Sequence, residues 1–331
     1  MEDLQINPAA SADEADTPDV STEVRAKFSD PFVTANGEER GFVDLVKLET
    51  LWFNTGTLCN IACENCYIDS SPLNDRLSYL TLEDVLPFLE EIERDNLGTR
   101  EIGLTGGEPF MNRHIIAIME ACLERGFDLI VLTNAMRPMM RFQKNLLRLN
   151  ERFGAAMTLR VSVDHYEEGL HEEERGAGTW KPMIEGLTWL SKNGFQIDVA
   201  GRTRWNENEA DLREGFRTFF ARQGIKIDAS SPKELVLFPE MAKRESVPEI
   251  TTRCWGLLGI DPADIMCATS RMIVKRKGQE RASVLACTLI PYDKRFEYDT
   301  TLAASPKRIQ LNHRYCSEFC VTGGGACSVK S

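Results

Sequence analysis

Between about residue 42 and residue 240 the chain alternates short apolar runs with stretches in which apolar residues recur every three or four positions. The runs predict strands at 51–54, 101–105, 129–133, 158–163, 196–200 and 235–238. The periodic stretches between them predict helices at 81–95, 114–125, 139–153, 180–193 and 210–223. In the first helix Thr81 is placed to cap the N-terminus, with Leu82, Val85, Leu86, Leu89 and Ile92 on one face. Six strands alternating with helices imply an α/β fold with a parallel sheet and right-handed crossovers. Function in such a sheet is expected at the C-terminal ends of the strands. After about Pro239 the periodicity weakens.

Three segments follow from this pattern. Residues 1–40 read as a disordered acidic leader, since 1–30 hold eight acids against two bases and no apolar periodicity. Residues 41–240 form the alternating unit. Residues 241–331 form a smaller cysteine-rich module. With 331 residues, 42% of them hydrophobic, the chain has enough apolar material for a large core. The net charge of −12 repels phosphate backbones and argues against nucleic acid as the main partner. No apolar run approaches the roughly 20 residues that span a bilayer, and the N-terminus lacks the pattern of a secretory signal. The reading is a cytoplasmic protein with neither membrane nor nucleic acid as partner.

In that compartment the ten cysteines are expected to be thiols rather than disulfides. Cys122 stands apart, within the apolar pattern Ile115, Ile118, Met119 and Leu123, and reads as a core residue. The other nine fall in two groups. The first is Cys59, Cys63 and Cys66, in a loop just after the first strand. Three thiolates can hold three irons of a cubane and leave the fourth iron open, as a catalytic metal requires. A structural zinc site would normally close with a nearby fourth ligand, and the nearest histidine, His114, lies far along the chain; spacing alone leaves zinc as the alternative.

The loop Cys59-Asn60-Ile61-Ala62-Cys63-Glu64-Asn65-Cys66 resembles the signature of the radical S-adenosylmethionine (SAM) superfamily, and the resemblance extends over residues 48–240. It implies a partial (βα)6 barrel, a 4Fe-4S cluster and SAM. Gly106-Gly107-Glu108-Pro109 resembles the family turn whose backbone meets the methionine amino group. By the same resemblance Asn134, Ser162, Asp164 and Arg202 are candidate cofactor contacts. Asp164 is alternatively a helix cap, and Arg204 rivals Arg202 for the methionine carboxylate. The family often places an aromatic residue before the third cysteine; here Asn65 stands there, followed by Tyr67. The chemistry implied is reductive cleavage of SAM to a 5′-deoxyadenosyl radical that abstracts hydrogen from a substrate.

The second group is Cys254, Cys267, Cys287, Cys316, Cys320 and Cys327. The run from Cys267 through Gly278 to Cys287 resembles the hairpin that opens the SPASM and twitch extensions of the family. The resemblance implies one auxiliary 4Fe-4S cluster on Cys267, Cys287, Cys316 and Cys320, with Cys254 and Cys327 as alternates; a structural zinc knuckle is the other reading. Such a cluster would bind substrate or take up an electron. A small molecule or a peptide is the expected substrate, with a flavodoxin- or ferredoxin-type electron donor. The alternatives are a maturase of ribosomal peptides, a sulfatase-activating enzyme, or, from another class, an electron-transfer or metal-stabilised scaffold protein. The acidic, histidine-containing stretch 165–175 reads as a solvated charged loop outside the site.

Overall fold

In the computed structural model residues 25–241, 247–305 and 307–325 are described. The strands are β1 (Phe42–Asp44), β2 (Thr50–Asn54), β3 (Glu101–Thr105), β4 (Asp128–Thr133), β5 (Met157–Asp164), β6 (Gln196–Arg202), β7 (Leu235–Phe238), β8 (Ser270–Val274), β9 (Ser283–Leu285) and β10 (Arg308–Gln310). The helices are α1 (Leu82–Asp95), α2 (Ile115–Glu124), α3 (Arg137–Met140), α4 (Gln143–Phe153), α5 (Glu168–Arg175), α6 (Trp180–Lys192), α7 (Glu209–Gln223) and α8 (Cys254–Leu258). Thr81 caps α1 as expected, in a reciprocal box with Asp84.

One eight-stranded sheet runs in the order β7-β6-β5-β4-β3-β2-β8-β9, and β2 to β7 are parallel in chain order. The parallel order is the one expected from the alternation, and the arrangement agrees with the partial barrel that the resemblance implies. The two faces of the strands divide by a period of two. Leu51, Phe53, Ile102, Leu104, Leu129, Val131, Leu159 and Val161 join the main core with helix residues such as Leu89, Ile118 and Leu187. Trp52, Ile130 and Met272 occupy the opposite face. Gly103 leaves room for the Trp52 ring there, since a Cβ at Gly103 would lie 2.2 Å from it.

Two boundaries differ from those read in the sequence. The hairpin β8–β9 lies within the segment 241–331, yet β8 pairs in parallel with β2 and extends the barrel sheet. Its short apolar runs carry no helix after them, so the alternation that revealed the other strands missed it. Residues 25–40, placed in the leader, pack against the C-terminal module. Arg40 is buried and pairs with Glu249 at 2.6 Å, while β1 pairs with β10. Residues 1–24 lie outside the described residues. No helix of the described residues is long and apolar enough to cross a membrane.

Candidate active site at the barrel mouth

The last residues of β3, β5, β6 and β7 are Thr105, Asp164, Arg202 and Phe238, and all of them line one cavity. Cys63 and Cys66 line it from the loop after β2, with Tyr67, Gly106, Ser162 and Arg175. Counting its open mouth, the cavity holds about 840 Å3.

The cysteine loop has no regular structure, and the turn after β3 holds its first half. Gly107 N donates to Gly56 O at 2.8 Å and Glu108 N to Leu58 O at 3.2 Å. This approach requires glycine: Gly106 has φ +139°, and a Cβ at Gly107 would lie 2.3 Å from Leu58 O. The buried Glu108 carboxylate accepts from Phe110 N, Thr133 Oγ1 and Asn134 N at 3.1, 2.9 and 2.8 Å. Burial pushes its pKa up to about 7, against these donors. Asn134 donates to Asn60 Oδ1 at 2.9 Å. Glu108 and Asn134 therefore brace the loop, and neither is among the cavity's lining residues.

Burial raises the Cys59 thiol to about 12 and the Cys63 thiol to about 11. Ser70 N donates to Cys66 Sγ at 3.3 Å, the kind of amide contact that supports a metal-bound thiolate. The three residues fit an iron–sulfur cluster: soft donors in one loop, glycine backbone beside them, and a cavity in front.

Asp164 is no helix cap. It sits at φ 45° at a register shift in β5 and accepts from Arg175 Nε at 2.7 Å and Nη2 at 3.2 Å. Arg202 Nε lies 3.5 Å from the same carboxylate, and its guanidinium stacks 4.4 Å from the Tyr67 ring. Burial works to raise the Asp164 pKa, but Arg175 and Arg202 outweigh it and hold it below 3.8. Arg204 instead reaches Glu64 at 2.9 Å and Glu173 at 3.1 Å, outside the cavity.

The segment read as a solvated loop is α5, and it belongs to the site. His165, His171 and Glu174 are buried, and Arg175 faces the cavity. The signal was there in the spacing: Leu170, His171, Glu174 and Arg175 recur at helical intervals, masked by four acids in the same stretch.

A second, apolar cavity lies in the C-terminal module. Cys267, Cys287, Cys316 and Cys320 all line it, with Ile265, Ile309, Leu311 and Phe296 among the walls. Leu289 N donates to Cys287 Sγ at 3.4 Å. Cys254 packs on the same apolar cluster without lining the cavity and takes its own contact from Thr251 N at 3.4 Å. Cys327 lies outside the described residues. Among the described residues no three His, Cys, Asp or Glu side chains close on a single ion; a cubane is larger than an ion, and its ligands must stand apart around it. Leu289 lines both cavities, and Phe319, between Cys316 and Cys320, meets the Tyr67 ring at 5.4 Å.

A parallel α/β sheet with a three-cysteine loop and a glycine turn at its C-terminal edge is the architecture of radical SAM enzymes. Residues 53–211 match the Radical SAM superfamily profile, and this part of the chain is a domain of that superfamily. It is similar to GTP 3′,8-cyclase of Tolumonas auensis, 29% identical over 176 residues, 51% of this chain and 48% of that one. It is also similar to the antilisterial bacteriocin subtilosin biosynthesis protein AlbA of Bacillus subtilis, 27% identical over 143 residues, 43% of this chain and 30% of AlbA. The chain thus spans half or less of these relatives. Among solved structures, Streptococcus suis SuiB bound to S-adenosylmethionine shares the fold with a TM-score of 0.55, 14% identity, 76% of this chain and 63% of that one. The structure of anSMEcpe with bound AdoMet shares it with a TM-score of 0.53, 14% identity, 76% of this chain and 74% of that one.

Proposed function

We propose that this chain is a radical SAM enzyme acting on a small molecule or a peptide, with a second cluster beside its substrate. The observation that carries the reading is the meeting of Cys63, Cys66, Gly106, Asp164, Arg175 and Arg202 on one cavity at the barrel mouth. Cys59, Cys63 and Cys66 would hold a 4Fe-4S cluster. Such a cluster, when bound, supplies one electron to SAM and thereby a radical able to take hydrogen from carbon.

The protein's own part is binding and exclusion of water. The Gly106 backbone and Ser162 offer polar contacts in the cavity, and Arg202 with Asp164 offers a charge pair suited to an amino acid's two ends. Phe238, Leu289 and Phe319 add apolar surface to the cavity lining. Cys267, Cys287, Cys316 and Cys320 would hold the auxiliary cluster behind Leu289. A flavodoxin or ferredoxin is the proposed electron donor. The similarity to AlbA supports the peptide branch, that of a maturase of ribosomal peptides.

Electron paramagnetic resonance of the reduced, anaerobically reconstituted full chain tests this. Addition of SAM should shift one cluster signal and leave a second in place. Replacing Cys59, Cys63 and Cys66 together by Ala should remove the SAM-responsive signal alone. A spectrum that ignores SAM in the parent chain contradicts the reading.

A further inference from the structure

The arm from Cys63 to Cys66 is a single turn at Glu64–Asn65, with no helix or strand, and contacts from other elements hold it. Its backbone is contacted by Glu174 and Arg202, and Arg204 reaches the Glu64 side chain at 2.9 Å. Glu64 N donates to Glu174 O at 2.8 Å. Asn65 N donates to Glu174 Oε1 at 3.0 Å, and Asn65 Nδ2 to Glu174 Oε2 at 3.1 Å. Arg202 Nη1 donates to Asn65 O at 3.0 Å. Each of the three peptide units between the two cysteines is thereby held by one hydrogen bond from outside the arm.

Glu174 is built for this task. Its side chain is fully buried, at 0% exposure, and its charge is matched by Arg204 at 2.5 Å and Arg202 at 3.6 Å. A buried carboxylate reading a backbone amide and a side-chain amide at once selects asparagine at position 65. A longer or apolar side chain there would take one of the two donors from Glu174 Oε2, leaving Arg204 Nη1 at 2.5 Å as the other, and would cut the carboxylate's link to the Asn65 side chain. Asn65 itself is not among the residues lining the cavity.

We propose that Glu174, acting through Asn65, is the positioning residue of the three-cysteine loop: it sets the Cys63–Cys66 arm in cluster-binding geometry before iron arrives. The inference rests on the cluster assignment made above for Cys59, Cys63 and Cys66.

The test exchanges donor and acceptor across the pair in the full chain. Glu174→Gln, with its carbonyl kept for the Asn65 backbone N–H, sets an amide donor against the Asn65 amide donor and against Arg204 Nη1. Adding Asn65→Asp restores an acceptor there, keeps the Gln carbonyl for the backbone N–H, and conserves both shape and total charge. Iron is counted after reconstitution and a fixed chelator challenge, and the first site's share is the excess over the Cys59/Cys63/Cys66→Ala chain. Glu174→Gln should weaken iron retention at this site about 10-fold, the usual cost of losing an outer-sphere partner, and the double variant should recover it. The melting temperature of the iron-free protein is recorded for each. Full retention by Glu174→Gln overturns the proposal. So does a double variant that melts like the parent yet fails to recover iron, because the grip would then not be what matters. A parent chain with no iron above the triple-Ala chain instead refutes the cluster assignment itself.

Discussion

Asp164 ends β5 in the left-handed region, a conformation that side chains other than glycine adopt at a cost. Two arginines hold it there, and removing its charge leaves both facing a neutral group. Asp164→Asn should lower unfolding stability by about 3 kcal/mol, the scale of breaking a buried pair, read by urea titration of the iron-free chain. A change within error would mean that the pair is replaced by water. His171 makes a separate prediction. Burial lowers its pKa from 6.5 to about 4, while its Nδ1 donates to Val163 O at 2.6 Å. The unfolded chain therefore binds a proton between those values that the folded chain refuses. Stability from this residue is complete above pH 6.5 and is lost as pH falls through 4. Urea midpoints at pH 7.5 and pH 5.5 should differ, and His171→Gln should shrink that difference; an unchanged slope would contradict the neutral buried state. The charges of this network were visible in the sequence one by one. Their pairing was not, because Asp164, Arg175 and Arg202 meet only once β5, α5 and β6 are folded.

At the scale of elements, the strands whose ends build the site were readable because amphipathic helices alternate with them; β3 and β7 fall at the bounds the pattern predicts, 101–105 and 235–238. Two elements were not. In α5, acids fill most turns and hide the buried side, and β8, whose hairpin was legible only through the family resemblance, pairs with a strand 220 residues earlier, Thr50 opposite Ser270, a pairing no local pattern encodes. Close approach between elements is also illegible locally. Gly186 lies within α6, where the helix would gain about 1 kcal/mol from alanine by intrinsic preference. Here a Cβ would lie 1.8 Å from Ala135 O, in the turn after β4. Backbone cannot yield as a side-chain tip does, so the clash wins. Gly186→Ala should destabilise the chain by about 1–3 kcal/mol in a thermal melt, against the stabilisation that propensity alone predicts.

For the whole molecule, the cysteine-rich segment is part of the barrel's support. It supplies β8 to the open edge of β2 and walls the active-site cavity with Thr288, Leu289 and Phe319. A chain ended after residue 241 should therefore expose the β2 edge and collect in the insoluble fraction, where the full chain stays in solution. A soluble, folded fragment would show that the two parts are independent.

The central claim is that the cavity at the barrel mouth turns SAM over. Its most direct test is the anaerobic, reconstituted full chain with dithionite and SAM, with 5′-deoxyadenosine quantified against the Cys59/Cys63/Cys66→Ala chain. Product from the parent chain and none from the variant is the predicted result. A parent chain with both clusters in place that yields no 5′-deoxyadenosine would contradict it and return the protein to electron transfer or a structural role.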